Sequence, residues 1–116
     1  MGNARQLVDR LLSTVLKETA SDLHITVGRH PTIRVDGTLI PLLNEEIITA
    51  DVARDFLFFL LTPEQQERFL REKEIDFSYN FQDRARLRVN LFHQRGYIGG
   101  ALRLIPVKVQ TFSELN

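Results

Sequence analysis

Two groups of side chains in this sequence are of types that can do chemistry, and the first is Asp22 with His24. They lie two residues apart in the segment ASDLHITVG, residues 20–28. A carboxylate and an imidazole on one face of a strand can act as a catalytic pair or supply two ligands to a metal ion. The spacing provides no third ligand and no oxyanion hole. We therefore predict neither a metal site nor a catalytic residue in this chain.

The second group is a cluster of arginines near the end of the chain. Arg86 and Arg88 alternate with apolar residues in ARLRVNLFH, and Arg103 occupies the polar face of YIGGALRLI. If the hairpin between these segments turns at Gln94-Arg95, Arg86 lies opposite Arg103. Like charges at directly opposed positions destabilise a sheet, so this arrangement needs a compensating negative charge.

Two sources of that charge stay open from the residues alone. Asp76 or Glu74, on the same face of the preceding strand, could screen the guanidinium groups within the domain. Alternatively, the arginines could bind a phosphate or carboxylate from outside, because paired guanidinium N–H donors match both anions. The first arrangement makes the arginines structural, whereas the second makes them an anion site.

The composition excludes several classes of protein. The chain has 116 residues, of which 43% are hydrophobic, and this is enough for one domain with a single core. The 15 basic and 15 acidic residues balance, so we predict no nucleic-acid partner. The absence of cysteine excludes disulfides and cysteine-based zinc sites. The nucleotide-binding pattern Gly-x-x-x-x-Gly-Lys-[Ser/Thr] does not occur either.

Local patterns in the first half of the chain predict a helix and three strands. Apolar residues at helical spacing indicate a helix over residues 4–19. Alternation indicates strands at about 22–27, 32–35 and 38–42. The pair Asp36-Gly37 is typical of a hairpin turn and would join the last two of these strands.

Two further helices are predicted in the middle of the chain by their start signals. Thr49 can cap a helix through ADVARDFLFFLL. The residues Thr62–Gln65 combine a capping box with a proline at the first helical position, and this second helix should end near Lys73.

Three alternating segments follow, and they complete the predicted fold. EIDFSYNF, ARLRVNLFH and YIGGALRLI are joined by short loops, which favours an antiparallel meander. The pair Gly99-Gly100 indicates a bulge or a close approach of another element. We predict an α+β fold, in which an antiparallel sheet of about six strands carries helices packed on one face. The tail, residues 106–116, loses the alternation, which suggests a chain cut from something longer.

Four motifs in this order resemble the N-terminal domain of the type IV pilus retraction ATPases, the PilT family, within the wider secretion ATPases. They are ASDLHITVGRHPTIRVDG at 20–37, DFSYNF at 76–81, ARLRVNLFHQRG at 85–96 and LRLIPVKVQTFSEL at 102–115. The resemblance covers residues from about 4 to 116. The insertion at Gly28–Pro31 is similar to the retraction branch, although His30-Pro31 stands where that branch usually has two prolines.

The resemblance implies a division of the chain and a role for nucleotide. Residues 1–105 would form a PAS-like N-terminal domain, and residues 106–116 would begin a linker to a RecA-like ATPase domain that the chain lacks. The full-length parent would then use ATP and Mg. This chain alone would hold no cofactor and hydrolyse no ATP.

The resemblance also implies roles for individual residues. In these motors six subunits form a ring, and nucleotide binds between the two domains of a subunit. By their positions in the motifs, Arg86, Arg88 and Arg103 would contact the ATP phosphates. Two further sites on the matching motifs, the pair Asp22 and His24 and the turn residue Asp36, would lie at subunit interfaces.

The expected function is therefore that of a regulatory, nucleotide-clamping domain in a hexameric pilus retraction motor used in twitching motility. Its partners would be its own ATPase domain, neighbouring subunits and the inner-membrane platform protein of the pilus. It would be cytoplasmic and peripheral to the inner membrane, and the isolated chain could be a monomer. The alternatives are the N-terminal domain of a pilus assembly or type II secretion ATPase, and a stand-alone PAS-like ligand-binding module. The last of these would need an enclosed pocket.

Overall fold

Three helices and one six-stranded sheet make up the part of the chain that the structure, a computed structural model, describes, residues 3–105. In chain order they are α1 (Asn3–Lys17), β1 (Asp22–Ile25), β2 (Thr32–Val35), β3 (Thr38–Pro41), α2 (Ala50–Phe59), α3 (Pro63–Glu72), β4 (Glu74–Phe81), β5 (Ala85–Gln94) and β6 (Tyr97–Ile105). The strand order is β3-β2-β1-β6-β5-β4, with every neighbouring pair antiparallel. This confirms the predicted α+β class. The predicted linker, residues 106–116, lies outside the described residues.

The helices α2 and α3 begin where their capping signals predict. The Thr49 side chain accepts a hydrogen bond from the backbone N–H of Val52, which satisfies one of the unpaired donors of the first turn. At α3 the Thr62 hydroxyl accepts from the N–H of Gln65, and the Gln65 side chain accepts from the N–H of Thr62. Lys73 then ends α3 in a left-handed conformation.

The turn between β5 and β6 corrects the predicted register. Arg95 and Gly96 both have positive φ, 54° and 83°, so they form the two central residues of a hairpin turn. The predicted turn at Gln94-Arg95 is therefore wrong by one position, and each residue of β5 faces a partner two positions further along β6. Arg88, not Arg86, lies opposite Arg103. A glycine takes the position with positive φ more readily than other residues, which explains the shift.

The core lies between the helices and one face of the sheet. The largest fully buried side chains include Phe56 of α2, Phe69 of α3 and Phe81 of β4, and all three belong to one hydrophobic cluster. At Gly100 an added Cβ would lie 2.9 Å from Leu57 and 2.8 Å from Leu91. This confirms the predicted close approach, and the pairing of β6 continues through it without a bulge. The opposite face of the sheet carries no helix of the described chain and is free to hold the polar residues.

Candidate functional site

One row of residues crosses all six strands on the sheet face opposite the helices. It contains three arginines and one aspartate, so its formal charge is positive. From edge to edge the directly paired residues are Leu39, Arg34, Asp22, Arg103, Arg88 and Ser78. We call this set the arginine row. Strands that neighbour one another in a sheet lie about 4.8 Å apart, so Arg103 and Arg88 occupy directly adjacent positions on this face.

Asp22 is the buried acid of the arginine row. It is only 6% exposed. The Ser21 hydroxyl donates a hydrogen bond of 2.6 Å to Asp22 Oδ1, and Arg103 Nε donates one of 3.2 Å to Asp22 Oδ2. Burial opposes ionisation of this carboxyl, but the hydrogen bonds from Ser21 and Arg103 and the charge of Arg103 outweigh it and lower its pKa below the usual value. Asp22 is therefore a carboxylate at neutral pH.

The acid that pairs with Arg103 is neither of the two that the sequence analysis considered. Within residues 4–105, neither Asp76 nor Glu74 forms an ion pair with an arginine of the row. The compensating charge comes instead from Asp22, on the other side of Arg103. One aspartate set against three arginines leaves the row with unbalanced positive charge.

Arg88 and Arg86 are the exposed arginines of β5. Arg88 lies between Arg103 and Ser78, and Arg86 lies in the next row, between Ile105 and Asn80. In the part of the chain that the structure describes, neither side chain has a hydrogen-bond or ion-pair partner. Among residues 4–105 their N–H donors are therefore unused. The structure thus brings Arg88 and Arg103 together and places Arg86 one row away.

Arg34 is a member of the row that the sequence reasoning missed. It is half-buried in β2, on the far side of Asp22 from Arg103. Its Nη1 donates a hydrogen bond of 3.0 Å to the carbonyl oxygen of Gly37, so it ties the row to the β2–β3 turn. The signal that could have found it is its place in IRVDG, three residues before the turn glycine whose carbonyl it binds, on the same strand face as Thr32.

His24 and Asp36 lie near the row but outside it. His24 sits in the adjacent row, paired with Thr32 and Ala101, and its buried Nε2 has no hydrogen-bond partner among residues 3–105. Asp36 is exposed at the tip of the β2–β3 turn, with φ of 50°. Within residues 3–105, no three histidine or acidic side chains come together as a metal ion would require. The interface roles of Asp22, His24 and Asp36 stay predictions.

Comparison with known proteins shows that the chain is similar to pilus ATPases. No protein-family model matches the sequence. The type IV pilus retraction ATPase PilT of Pseudomonas aeruginosa is 36% identical over an alignment covering 94% of this chain and 31% of the relative. The type IV pilus ATPase PilU of the same organism is 28% identical, over 93% of this chain and 28% of the relative. The chain is homologous to the N-terminal domain of the pilus retraction ATPases.

Solved structures give the same result for the fold. The pilus retraction motor PilT with bound ADP superposes with a TM-score of 0.82 at 25% identity, over 91% of this chain and 31% of that one. The ATPase DotB of Legionella pneumophila gives a TM-score of 0.73 at 28% identity, over 95% of this chain and 31% of that one. This chain spans about a third of the length of each of these relatives, so it corresponds to one domain of a pilus or secretion ATPase.

A groove lies open at the surface of the part of the domain that the structure describes. A groove of about 630 Å³ runs between the start of α1 and the segment before α2, where Leu7, Pro31 and Ile47 are among its lining residues. It is open to solvent, whereas the interior is filled by side chains such as Phe56 and Phe69. The groove is therefore unlike the enclosed pocket that a stand-alone ligand-binding module would need. No helix among the described residues is long and apolar enough to cross a membrane.

Proposed function

We propose that this chain is the regulatory, nucleotide-clamping N-terminal domain of a hexameric motor ATPase that retracts type IV pili. Residues 1–105 form the domain, and residues 106–116 begin the linker to a RecA-like ATPase domain. The homology to PilT supports the class of motor. The observation that carries the nucleotide role is the exposed pair Arg88 and Arg103, which lie side by side with unbalanced positive charge.

The chemistry of the pair suits the phosphates of ATP. Arg103 and Arg88 are directly opposed on neighbouring strands, and their mutual repulsion is relieved when an anion binds between them. A guanidinium keeps its charge at every physiological pH, so it can offset the charge that develops on the γ-phosphate during transfer. Arg86, one row away, supplies a further donor to the same triphosphate.

Nucleotide binding would then be converted into movement. ATP with its Mg ion binds in the ATPase domain, and the arginines of this domain close onto its phosphates from the other side. Because closure depends on the γ-phosphate, hydrolysis of ATP lets the two domains open again. Repeated cycles of closure and opening drive the ring against the pilus platform protein. Asp22, His24 and Asp36 lie at or next to the surfaces that neighbouring subunits contact. The motor works in the cytoplasm, at the inner membrane.

A second candidate follows from the likeness to DotB. The TM-score of 0.73 at 28% identity shows that the ATPase DotB shares this fold. In that case the same arginines would clamp ATP in a secretion or pilus assembly motor. A strain that lacks its retraction ATPase distinguishes the two, since only a retraction motor restores twitching when the full-length protein is supplied.

The nucleotide role is tested in the full-length protein. Reading the gene past Asn116 should show a Gly-x-x-x-x-Gly-Lys-[Ser/Thr] motif after a strand. Arg88→Ala and Arg103→Ala should each lower kcat by about 100-fold or more, the usual effect of removing one donor to a transition-state charge. Arg71→Ala removes an exposed arginine from α3, on the helix side of the sheet, and should leave kcat unchanged. Wild-type turnover in both row variants would refute the clamping role.

A further inference from the structure

The contact between Asp22 and Arg103 uses only one of the three nitrogens of the Arg103 guanidinium. Asp22 Oδ2 accepts a hydrogen bond from Arg103 Nε, at 3.2 Å. A guanidinium has five donor hydrogens, and the contact uses the one nearest the backbone. Among residues 3–105, the two terminal nitrogens of Arg103 have no partner. They can therefore still fork onto two oxygens of an incoming anion.

The two side chains of this pair lie in very different surroundings. The Asp22 side chain is 8% exposed, whereas that of Arg103 is 73% exposed. A long, solvated arginine samples many rotamers, and ordering it for binding is costly in conformational entropy. A carboxylate that is itself held in place removes part of that entropy before the ligand arrives. Asp22 meets this condition, because the Ser21 hydroxyl donates to its other oxygen at 2.6 Å.

In the described chain, the Asp22 carboxylate forms an ion pair with Arg103 and with no other arginine of the row. Arg34 lies directly opposite Asp22 on the other neighbouring strand. Its Nη1 donates a hydrogen bond to the Gly37 carbonyl oxygen, at 3.0 Å, and within residues 4–105 no side-chain hydrogen bond or ion pair joins it to Asp22. His24, two residues along β1, adds only a through-space interaction with this acid. In the described chain, the hydrogen bonds of the Asp22 side chain are therefore those with Ser21 and Arg103.

We propose that Asp22 is the positioning residue of the arginine clamp, which holds Arg103 by its Nε and leaves the terminal nitrogens to bind the γ-phosphate. This inference rests on the proposed function, because it assumes that Arg103 contacts the nucleotide. Asp22 itself touches no nucleotide. It acts by fixing where the Arg103 charge lies when the domain closes, in the way that outer-shell partners orient the groups that bind directly.

The test uses the full-length protein and the variant Asp22→Asn, which keeps the shape of the side chain and removes its charge. We expect kcat to fall about 10-fold, the usual effect of losing an outer-shell partner, with KM for ATP changed little. In an Arg103→Ala background, the same substitution should lower kcat no further, since its effect passes through Arg103. Asp76→Asn removes an equal charge from the same sheet face without touching Arg103 and serves as the control.

An NMR measurement on this chain distinguishes a loss of Arg103 positioning from a loss of the folded structure. The Nε–H proton of Arg103 should give a distinct NMR signal that is protected from exchange in the wild type and in Asp76→Asn. In Asp22→Asn that protection should fall, while the backbone amide spectrum stays that of a folded sheet. An Arg103 Nε–H signal that is equally protected in Asp22→Asn would overturn the proposed contact.

The kinetic outcomes distinguish this inference from the function on which it rests. If Arg103→Ala turns over as the wild type does, the nucleotide role of Arg103 is wrong, and the positioning role is wrong with it. If Arg103→Ala is slow but Asp22→Asn is normal, only the positioning role is wrong. If the losses from the two substitutions multiply in the double variant, Asp22 acts by another route, and the inference is overturned.

Discussion

The interactions of Asp22 predict that the wild type and the Asp22→Asn variant differ in stability, and that this difference depends on pH. We expect Asp22→Asn to lower the free energy of unfolding of this chain by about 1 kcal/mol at pH 7. The Ser21 hydrogen bond to a charged acceptor contributes about 1.5 kcal/mol. The pair with Arg103 adds at most about 1 kcal/mol, because Arg103 is 73% exposed and well screened. Burial of the charge offsets part of this sum.

The sign of the pH dependence follows from the direction of the pKa shift. The pKa of Asp22 is lower in the folded chain than in the unfolded one, where it is near the ordinary aspartate value of about 3.9. The stabilisation is therefore fully present above that value and is lost as the pH falls through the lower, folded-state pKa. The difference between wild type and Asp22→Asn should be constant from about pH 5 to 7 and should shrink below about pH 4.

Urea unfolding at a series of pH values measures this difference directly. For a domain of this size, about 1 kcal/mol moves the urea midpoint by about 0.5 M. Asp76→Asn is the matched control, because Asp76 is exposed and forms no ion pair within residues 4–105. Equal midpoints for wild type and Asp22→Asn at pH 7 would refute the reasoning. So would a difference that stays the same down to pH 3.

Three further predictions concern the fold and are all read from urea or thermal unfolding. Gly100→Val should lower the free energy of unfolding by about 1–3 kcal/mol, because its Cβ would lie within 3 Å of Leu57 and Leu91 in the core. An unchanged unfolding midpoint would mean that α2 moves away freely. Gly96→Ala should lower the free energy of unfolding by about 1 kcal/mol because of the φ of 83° alone, since no atom lies within 4 Å of the added Cβ. A stabilised variant would contradict that turn conformation. Thr62→Ala should cost about 1 kcal/mol by removing the capping box of α3, whereas Thr62→Ser should retain most of it.

The parts of the fold that the sequence predicted well are those that depend on neighbouring residues. The cap at Thr49, the capping box at Thr62 and the turn at Asp36-Gly37 are each built from residues within four positions of one another. Alternation along EIDFSYNF likewise reports which side of a strand is buried, whatever lies beside it. These features need no knowledge of the tertiary fold, because their hydrogen bonds and backbone angles are local.

The register of the last hairpin shows where local reasoning reaches its limit. A choice between Gln94-Arg95 and Arg95-Gly96 as the turn changes every partner across β5 and β6, although the same faces stay exposed. The face of Arg86, Arg88 and Arg103 was therefore predicted correctly, while the identity of the opposed pair was not. Which turn forms depends on the backbone conformation at Gly96, which alternation does not report.

The sequence by itself determined which residues alternate, where the helices begin and that three arginines share a face. Only the tertiary structure decided that β1 lies beside β6, which brings Asp22 against Arg103 across 81 positions of chain. That pairing buries an acid predicted to lie on the polar side of the strand, and it assigns the compensating charge to Asp22 and not to Asp76 or Glu74. The physical reason is that strand order in a sheet is set by the summed packing of the whole core, which no short segment encodes.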